Sequence, residues 1–502
     1  MGKYETIIGL EIHLQLKTKS KMFCACANRD NQAPNSLVCP ICLGHPGTLP
    51  TVNQAAVHQG LAMALALNCK INQRSKFDRK NYFYPDLAKG YQISQFDEPL
   101  AGEGHLILNI DSRRKRFGIE RLHLEEDAAK NIHRGGNTLT DFNRGGAPLA
   151  EIVTRPDFRT PSEAKEFLQE LRLIARYLGV SDADMEKGQL RCDANISLRP
   201  QGQAKLYPKI EIKNLNSFRS VERALIFEID RQSKLWDQKK APKITETRGW
   251  DENKGVTVLQ RTKEGSSDYR YFPEPDLPPL IISKELLTEI KAKQTELPQA
   301  KAERFVREYQ LNYKDARVLI NQKEWAGYFE EVMSELQAWL LAERKVAQDS
   351  PAADKLWAEH REKLAKLAYN WISTEIFALI KGDFDYKNFK ISAENMAEFL
   401  SLIYLKKINS SAGRTIVREM FKGVDDDPSH IAEDLKLLQE DDQATLSDFV
   451  IKIIMSYPEQ VRAYQSGKEA LLKFFIGKVM AESRGQANPQ IVERLLKEKL
   501  KK

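Results

Sequence analysis

Acidic side chains in the first half of the chain recur next to histidine, arginine or lysine. Glu11 lies two residues before His13. Glu125 and Glu126 follow His123, Asp193 follows Arg191, Glu211 precedes Lys213, and Glu151 stands in an apolar run. A packed core has little use for so many ionisable groups. A site that holds metal ions and transfers phosphoryl groups has direct use for them, because it must balance several negative charges at once. Carboxylates gathered from separate strands repel one another unless cations lie between them, and magnesium is the default for an oxygen-rich set. The plainer reading is a set of solvated strand faces. That reading suffices for Glu11 and His13 alone and weakens in the company of Glu125, Glu126, Glu151 and Asp193. Glu125 and Glu126 are adjacent, so on a strand only one of them shares the face of His123.

Arg79-Lys80-Asn81 precedes Tyr82-Phe83-Tyr84. Phosphate donors then stand beside rings that can stack, which suits a nucleotide or an RNA end. An aromatic core edge with solvated basic neighbours would have the same composition. No Gly-x-x-x-x-Gly-Lys-Ser/Thr and no Gly-x-Gly-x-x-Gly occurs, so any use of ATP rests on another scaffold. Gly265-Ser266-Ser267 is not a nucleophile elbow. Cys24-x-Cys26 and Cys39-x-x-Cys42 are separated by twelve residues. Two short-spaced pairs can wrap one tetrahedral zinc, and Pro40 and Gly44 supply the turns. Four thiolates would make the site closed and structural. Reduced, semi-buried thiols are the alternative. Cys69 and Cys192 read as core.

Strands must position the first group of residues. Ile8, Leu10, Ile12, Leu14 and Leu16 alternate with Glu11, His13, Gln15 and Lys17. The period of two predicts a half-buried strand with Glu11 and His13 on one face. Residues 190–199 alternate in the same way, as do 210–213. An antiparallel sheet with one wet face accounts for this layout. Thr160-Pro161-Ser162-Glu163 is a capping box with proline at the first helical position, which predicts a helix to about Leu178 with Gly179 after it. Another helix is expected over 218–236. The proline-rich segment 268–279 is extended. From Glu285 onward the pattern is helical, with Asn488-Pro489 announcing the last helix. The expected fold class is therefore α+β: a domain on an antiparallel sheet (1–292), then an all-α domain (293–409) and a helical tail (410–502).

The length of 502 residues suits roughly two to four domains. Lys+Arg 77 against Asp+Glu 70 gives +7, which permits a nucleic-acid partner without demanding one. No apolar run is long enough to span a bilayer, and no signal or transit peptide is legible. Met1-Gly2 with Thr6 fits a myristoylation pattern, but Thr6 already belongs to the first strand. A cytoplasmic location is expected, and the clustered cysteines fit a metal site there better than disulfides.

Taken in order, these strings resemble the GatB family, the B subunits of the bacterial and organellar tRNA-dependent aspartyl/glutamyl amidotransferases. The resemblance spans essentially the whole chain. It is carried by Ile8-Gly9-Leu10-Glu11-Ile12-His13, by residues 76–86, and by Leu122-His123-Leu124-Glu125-Glu126-Asp127. It is carried further by Pro148-Leu149-Ala150-Glu151-Ile152-Val153, residues 190–197, Lys213-Asn214-Leu215-Asn216-Ser217 and residues 268–276. The resemblance implies two partner proteins, an amidase (the A component) and a small third protein (the C component), in a heterotrimeric ligase. It implies ATP- and magnesium-dependent phosphorylation of the side-chain carboxylate of Glu-tRNA(Gln), Asp-tRNA(Asn) or both. Amidation follows, with ammonia that the amidase releases from glutamine. It assigns magnesium to Glu11, His13, Glu126 and Glu151, with Glu125 and Asp193 nearby. It turns Arg79 and Lys80 toward phosphates and gives tRNA to the helical tail, where Arg414, Arg418, Lys468, Lys473, Lys478 and Arg484 supply basic faces, with Lys406 and Lys407 just before it and simple solvation the alternative for some. The paired cysteines vary within the family, so zinc is an expectation for this chain alone. Two rivals stand beside this: a non-catalytic tRNA-binding and assembly subunit, and a metal-dependent nuclease. RNA binding alone has no use for the carboxylate–histidine cluster and is disfavoured by it.

Overall fold

The alternation that begins at the first strand continues into most of the sheet. In the computed structural model the described residues are 3–110, 113–263, 269–380, 388–423, 427–439, 443–483 and 487–501. Gly265-Ser266-Ser267, Asp268, the acidic pair Asp425-Asp426 and Arg484 lie outside them. The chain divides into two compact units, Met1–Pro298 and Gln299–Lys502.

The strands of the first unit, in chain order, are β1 (Tyr4–Gln15), β2 (Arg74–Ser75), β3 (Asp78–Asn81), β4 (Tyr91–Ser94), β5 (Gly104–Ile110) and β6 (Arg113–Glu126). They continue with β7 (Lys130–Arg134), β8 (Asn137–Asp141), β9 (Pro148–Thr154), β10 (Leu190–Pro200) and β11 (Ile210–Leu215). Last come β12 (Thr245–Asp251), β13 (Val256–Lys263), β14 (Phe272–Pro273) and β15 (Leu280–Ile281). Eight of them form one sheet in the order β13-β12-β11-β10-β1-β9-β6-β5, and β14-β3-β4 form a small second sheet.

The large sheet is antiparallel except for β11 and β12, which run parallel. A parallel pair needs a crossover connection, and the helix Phe218–Asp237 lies between those two strands in sequence. One face of the sheet is apolar. Leu10, Ile12, Leu14, Ala150, Ile152, Cys192 and Ala194 are buried there with the helices Gln54–Ala66, Pro161–Tyr177 and Phe218–Asp237. The helix Pro161–Tyr177 begins at the expected capping box, with Thr160 and Glu163 bonding reciprocally. Gly60 lets the first helix close on β6, because a Cβ there would stand 2.8 Å from Leu124 Cδ2. The α+β class follows: the sheet buries one face under helices and leaves the other for polar side chains.

The second unit is helical from Pro298–Tyr309 to Pro489–Leu500 among the described residues. Helix Ser410–Lys422 packs on what precedes it. A Cβ at Gly413 would meet Trp371 Cη2 at 2.7 Å, and Arg414 bonds Glu375 at 3.0 Å. The helices within Gln443–Leu500 close a separate core around Phe475, Val479 and Leu496. No described helix is long and apolar enough to cross a membrane.

Candidate functional site

Register assembles the polar face. His13 on β1 pairs with Glu151 on β9, and Glu151 pairs on its other side with His123 on β6. The row His123–Glu151–His13 continues to Arg191 on β10, and the next row sets Glu11 opposite Asp193. Side chains alternate along a strand, so Glu125 shares the face of His123 two residues further on. A break in register between Cys192 and Ala194 lets β11 turn Lys213 onto Asp193. These residues line a cavity of about 960 Å³.

Within it, His13 Nε2 lies 3.4 Å from Glu151 Oε2 and 3.5 Å from Glu125 Oε1. His123 Nε2 lies 3.2 Å from the same Glu151 oxygen and 3.7 Å from Glu125 Oε2. Two overlapping ligand sets result: Glu11, His13 and Glu151, and His123, Glu125 and Glu151. In each, the ligand atoms lie within 4.8 Å of one another. Burial opposes charge on both imidazoles, yet Glu151 and Glu125 push each up to about 9. Burial would raise the Glu151 carboxyl, but His123 and His13 pull it well below the usual carboxylate range. Burial, then the Glu151 charge, pushes Glu11 up. The cluster holds its negative charge by borrowing protons on histidine, and a metal cation could take over that role.

The small sheet covers this row. On β3, Lys80 faces the cavity, where its ammonium stands 5.0 Å from the Tyr269 ring and 5.8 Å from the Tyr82 ring. Burial works against its charge, but Glu125, Tyr271 and Glu151 outweigh it and raise Lys80. On β4, Ser94 Oγ donates to Glu125 Oε2 at 3.1 Å.

Two residues expected here are elsewhere. Glu126 points to the other face of β6, where it takes the Lys89 ammonium and accepts the Ile93 N–H at 2.9 Å. Strand parity gives the cluster Glu125 instead. Arg79 precedes Lys80 and so faces away. Its guanidinium clamps Glu274 through bonds of 2.8 and 2.9 Å and lies 4.4 Å from the Tyr91 ring. The buried Glu274 carboxylate holds it there, outside the lining of the cavity. In the other direction, the sequence reading left His123 out of the ligand set, although the same parity argument that selects Glu125 selects it. Tyr269 and Tyr271 come to the cavity through pairing of Phe272 with Arg79, which no local pattern announces.

A family model described as the GatB/GatE catalytic domain matches residues 6–288, and one described as the GatB domain matches residues 355–500. The chain belongs to the GatB family. A similar relative is the B subunit of the aspartyl/glutamyl-tRNA(Asn/Gln) amidotransferase of Persephonella marina, 43% identical over 99% of this chain and 100% of the relative. Proteins of the same name from Carboxydothermus hydrogenoformans and Thermotoga maritima are similar too. The first is 43% identical over 100% of both chains, and the second 44% identical over 99% of both. Every residue lining the cavity falls inside the catalytic-domain match.

The four clustered cysteines fall there as well. Cys24, Cys26, Cys39 and Cys42 bring their sulfurs within 4.8 Å of one another and could bind a metal ion. The Cys39 N–H donates to Cys42 Sγ at 3.2 Å, and the buried Lys21 ammonium stands 3.7 Å from it. A hydrogen bond from Cys24, with Cys39 and Lys21 assisting, brings the Cys42 thiol down to about 4. That thiol is a ready thiolate ligand. Cys69 and Cys192 are buried in the apolar core.

Proposed function

We propose that this chain is the acyl-activating subunit of an ATP-dependent, glutamine-using aminoacyl-tRNA amidotransferase. Its substrates are the side-chain carboxylates of Glu-tRNA(Gln), Asp-tRNA(Asn) or both. The observation that carries the reading is the charge balance of the cavity. Its walls hold six carboxylates, from Glu11, Glu125, Asp127, Glu151, Asp193 and Glu211. Against them stand five lysines and arginines: Lys80, Arg121, Arg191, Lys213 and Arg261. These nearly cancel. A polyphosphate and an anionic substrate add negative charge that only the imidazoliums of His13 and His123, or metal cations in place of their protons, can offset.

A free carboxylate is a poor acyl donor because its leaving group would be oxide. In the proposed reaction a carboxylate oxygen attacks the γ-phosphorus of ATP and ADP leaves. Ammonia then attacks the carbonyl carbon, the C–O bond to phosphate breaks, and the nitrogen loses a proton. The carboxylate oxygens of Glu11, Glu125 and Glu151 suit magnesium, which tolerates an imidazole such as that of His13 or His123 less readily. When bound, magnesium supplies positive charge where phosphate and carboxylate meet. Lys80 holds its proton at the roof of the cluster and adds a fixed cation there. The four cysteines suit a structural zinc, the chain's own device for fixing the loop 24–42. Ammonia comes from a partner amidase, with a small third protein completing the heterotrimer, because no glutaminase nucleophile is legible in this chain.

A metal-dependent nuclease would share the carboxylates but would cut RNA without making amide. A tRNA-binding assembly subunit would need no such cavity. The deciding experiment uses the assembled complex with the amidase nucleophile removed. It should make no amide from glutamine, yet make it from ammonium chloride, ATP and misacylated tRNA. Failure with ammonium, in a complex that still assembles and binds tRNA, would assign the activation chemistry to another chain.

A further inference from the structure

Phe96 is out of place by ordinary burial rules. It follows β4 closely and is 56% exposed, and it lines the cavity that holds the carboxylate–histidine cluster. Its ring lies nearly parallel to that of Tyr271, with centroids 4.2 Å apart and planes 7° apart. Tyr271 is in turn braced edge-on by Tyr269. One face of Phe96 is covered by the stack and the other is left open.

The exposure is built rather than incidental. The Phe96 N–H donates to Asp78 Oδ2 at 3.0 Å, and Asp78 is buried and bonded by Lys76 at 2.7 Å. Lys76 also pairs with Asp97, the next residue. The backbone under the ring is therefore pinned from both sides. A flat, rigid, water-facing ring on a braced stack costs solvation unless a planar partner covers it. Fixing the ring in advance removes ordering entropy from the binding step.

We infer that the open face of Phe96 is a seat for an adenine base, with the attached phosphates directed toward Lys80 and the acidic row. This rests on the activation chemistry proposed for the cavity, which brings two adenines to it: that of ATP and that of the 3′-terminal adenosine of the tRNA. Stacking on Phe96 serves either one, because a base offers a π-face whatever its attachment. Lys80, beside Tyr82 and Tyr269 on the same cavity wall, sets the polar end of the seat.

The test uses the full complex carrying Phe96→Ala, Phe96→Leu or Phe96→Trp, with assembly and melting temperature checked for each. Equilibrium binding is measured in three arms: ATP alone, misacylated tRNA, and the same tRNA lacking its terminal adenosine. If the seat takes the nucleotide, Phe96→Ala and Phe96→Leu weaken ATP about ten-fold or more, Phe96→Trp restores it, and tRNA binding is unchanged. If it takes the RNA end, the same pattern appears with intact tRNA and vanishes with the shortened one. Equal binding by the alanine variant in all arms overturns the proposal. So does rescue by leucine, which would mean apolar packing, or loss of assembly, which would place the ring in an interface with a partner protein. Turnover is read separately: a wild-type complex that binds ATP but never cleaves it sinks the activation reading and leaves the seat to the binding data.

Discussion

At the residue scale, neighbours in sequence have opposite fates. Arg79 and Lys80 look equivalent as phosphate donors, but a strand sends them to opposite faces. Arg79→Ala would strand the fully buried Glu274 carboxylate, so it should cost about 3–5 kcal/mol of stability, measured by denaturant titration. Lys80→Ala should fold normally and lower tRNA-dependent ATP cleavage at least about ten-fold. Equal losses of stability in both variants would refute the division. The same logic separates Glu125 from Glu126. Glu125→Gln should abolish ATP cleavage with little change in melting temperature. Glu126→Gln should loosen the Lys89 and Ile93 contacts and lower the melting temperature first. His13→Ala and Glu151→Ala should remove ATP cleavage while leaving glutamine hydrolysis in the partner amidase intact, because its nucleophile lies elsewhere. Normal ATP turnover in either folded variant would remove these two from the chemistry.

At the scale of elements, the site depends on three strands that are distant in sequence and adjacent in the sheet. The alternation of β1 and β10 is readable because each carries a long apolar–polar pattern. β3 is too short for one, so its parity, and with it the exclusion of Arg79, is not. The thiol loop is a second element whose stability is testable. Gly44 presses against Lys89, and a Cβ there would lie 2.7 Å from Lys89 Cγ. Lys89 in turn holds Glu126. Metal analysis of pure protein should find about one zinc per chain, as four thiolates of one closed site require. Stripping it with a strong chelator should expose loop 24–42 to proteolysis before the helices open. Absence of zinc with all four thiols freely titratable would leave the loop held by packing alone.

At the scale of the whole molecule, the chain has two compact units, and the cavity lies in the first. The second holds the basic residues proposed for tRNA. Arg418, Lys468 and Lys473 are exposed there, whereas Arg414 is engaged by Glu375 and Lys406 by Gln490. Removing residues from 443 onward should weaken tRNA binding and flatten its dependence on salt, since fewer counterions are released. An unchanged salt slope would place the grip elsewhere. By itself the sequence determined the fold class, the long strands, the capped helices, the family and most of the acidic row. Those signals are local: period-two alternation, capping chemistry and unbroken motif strings. Strand parity already put Glu125 and His123 on one face; tertiary structure alone set that face beside Glu151 and His13 through the register of β6, β9 and β1. It alone set Arg79 against Glu274, outside the cavity, and brought Tyr269 and Tyr271 to a row built from distant strands. Each of these depends on register between strands, and the free energy that fixes them belongs to pairs of segments rather than to any one.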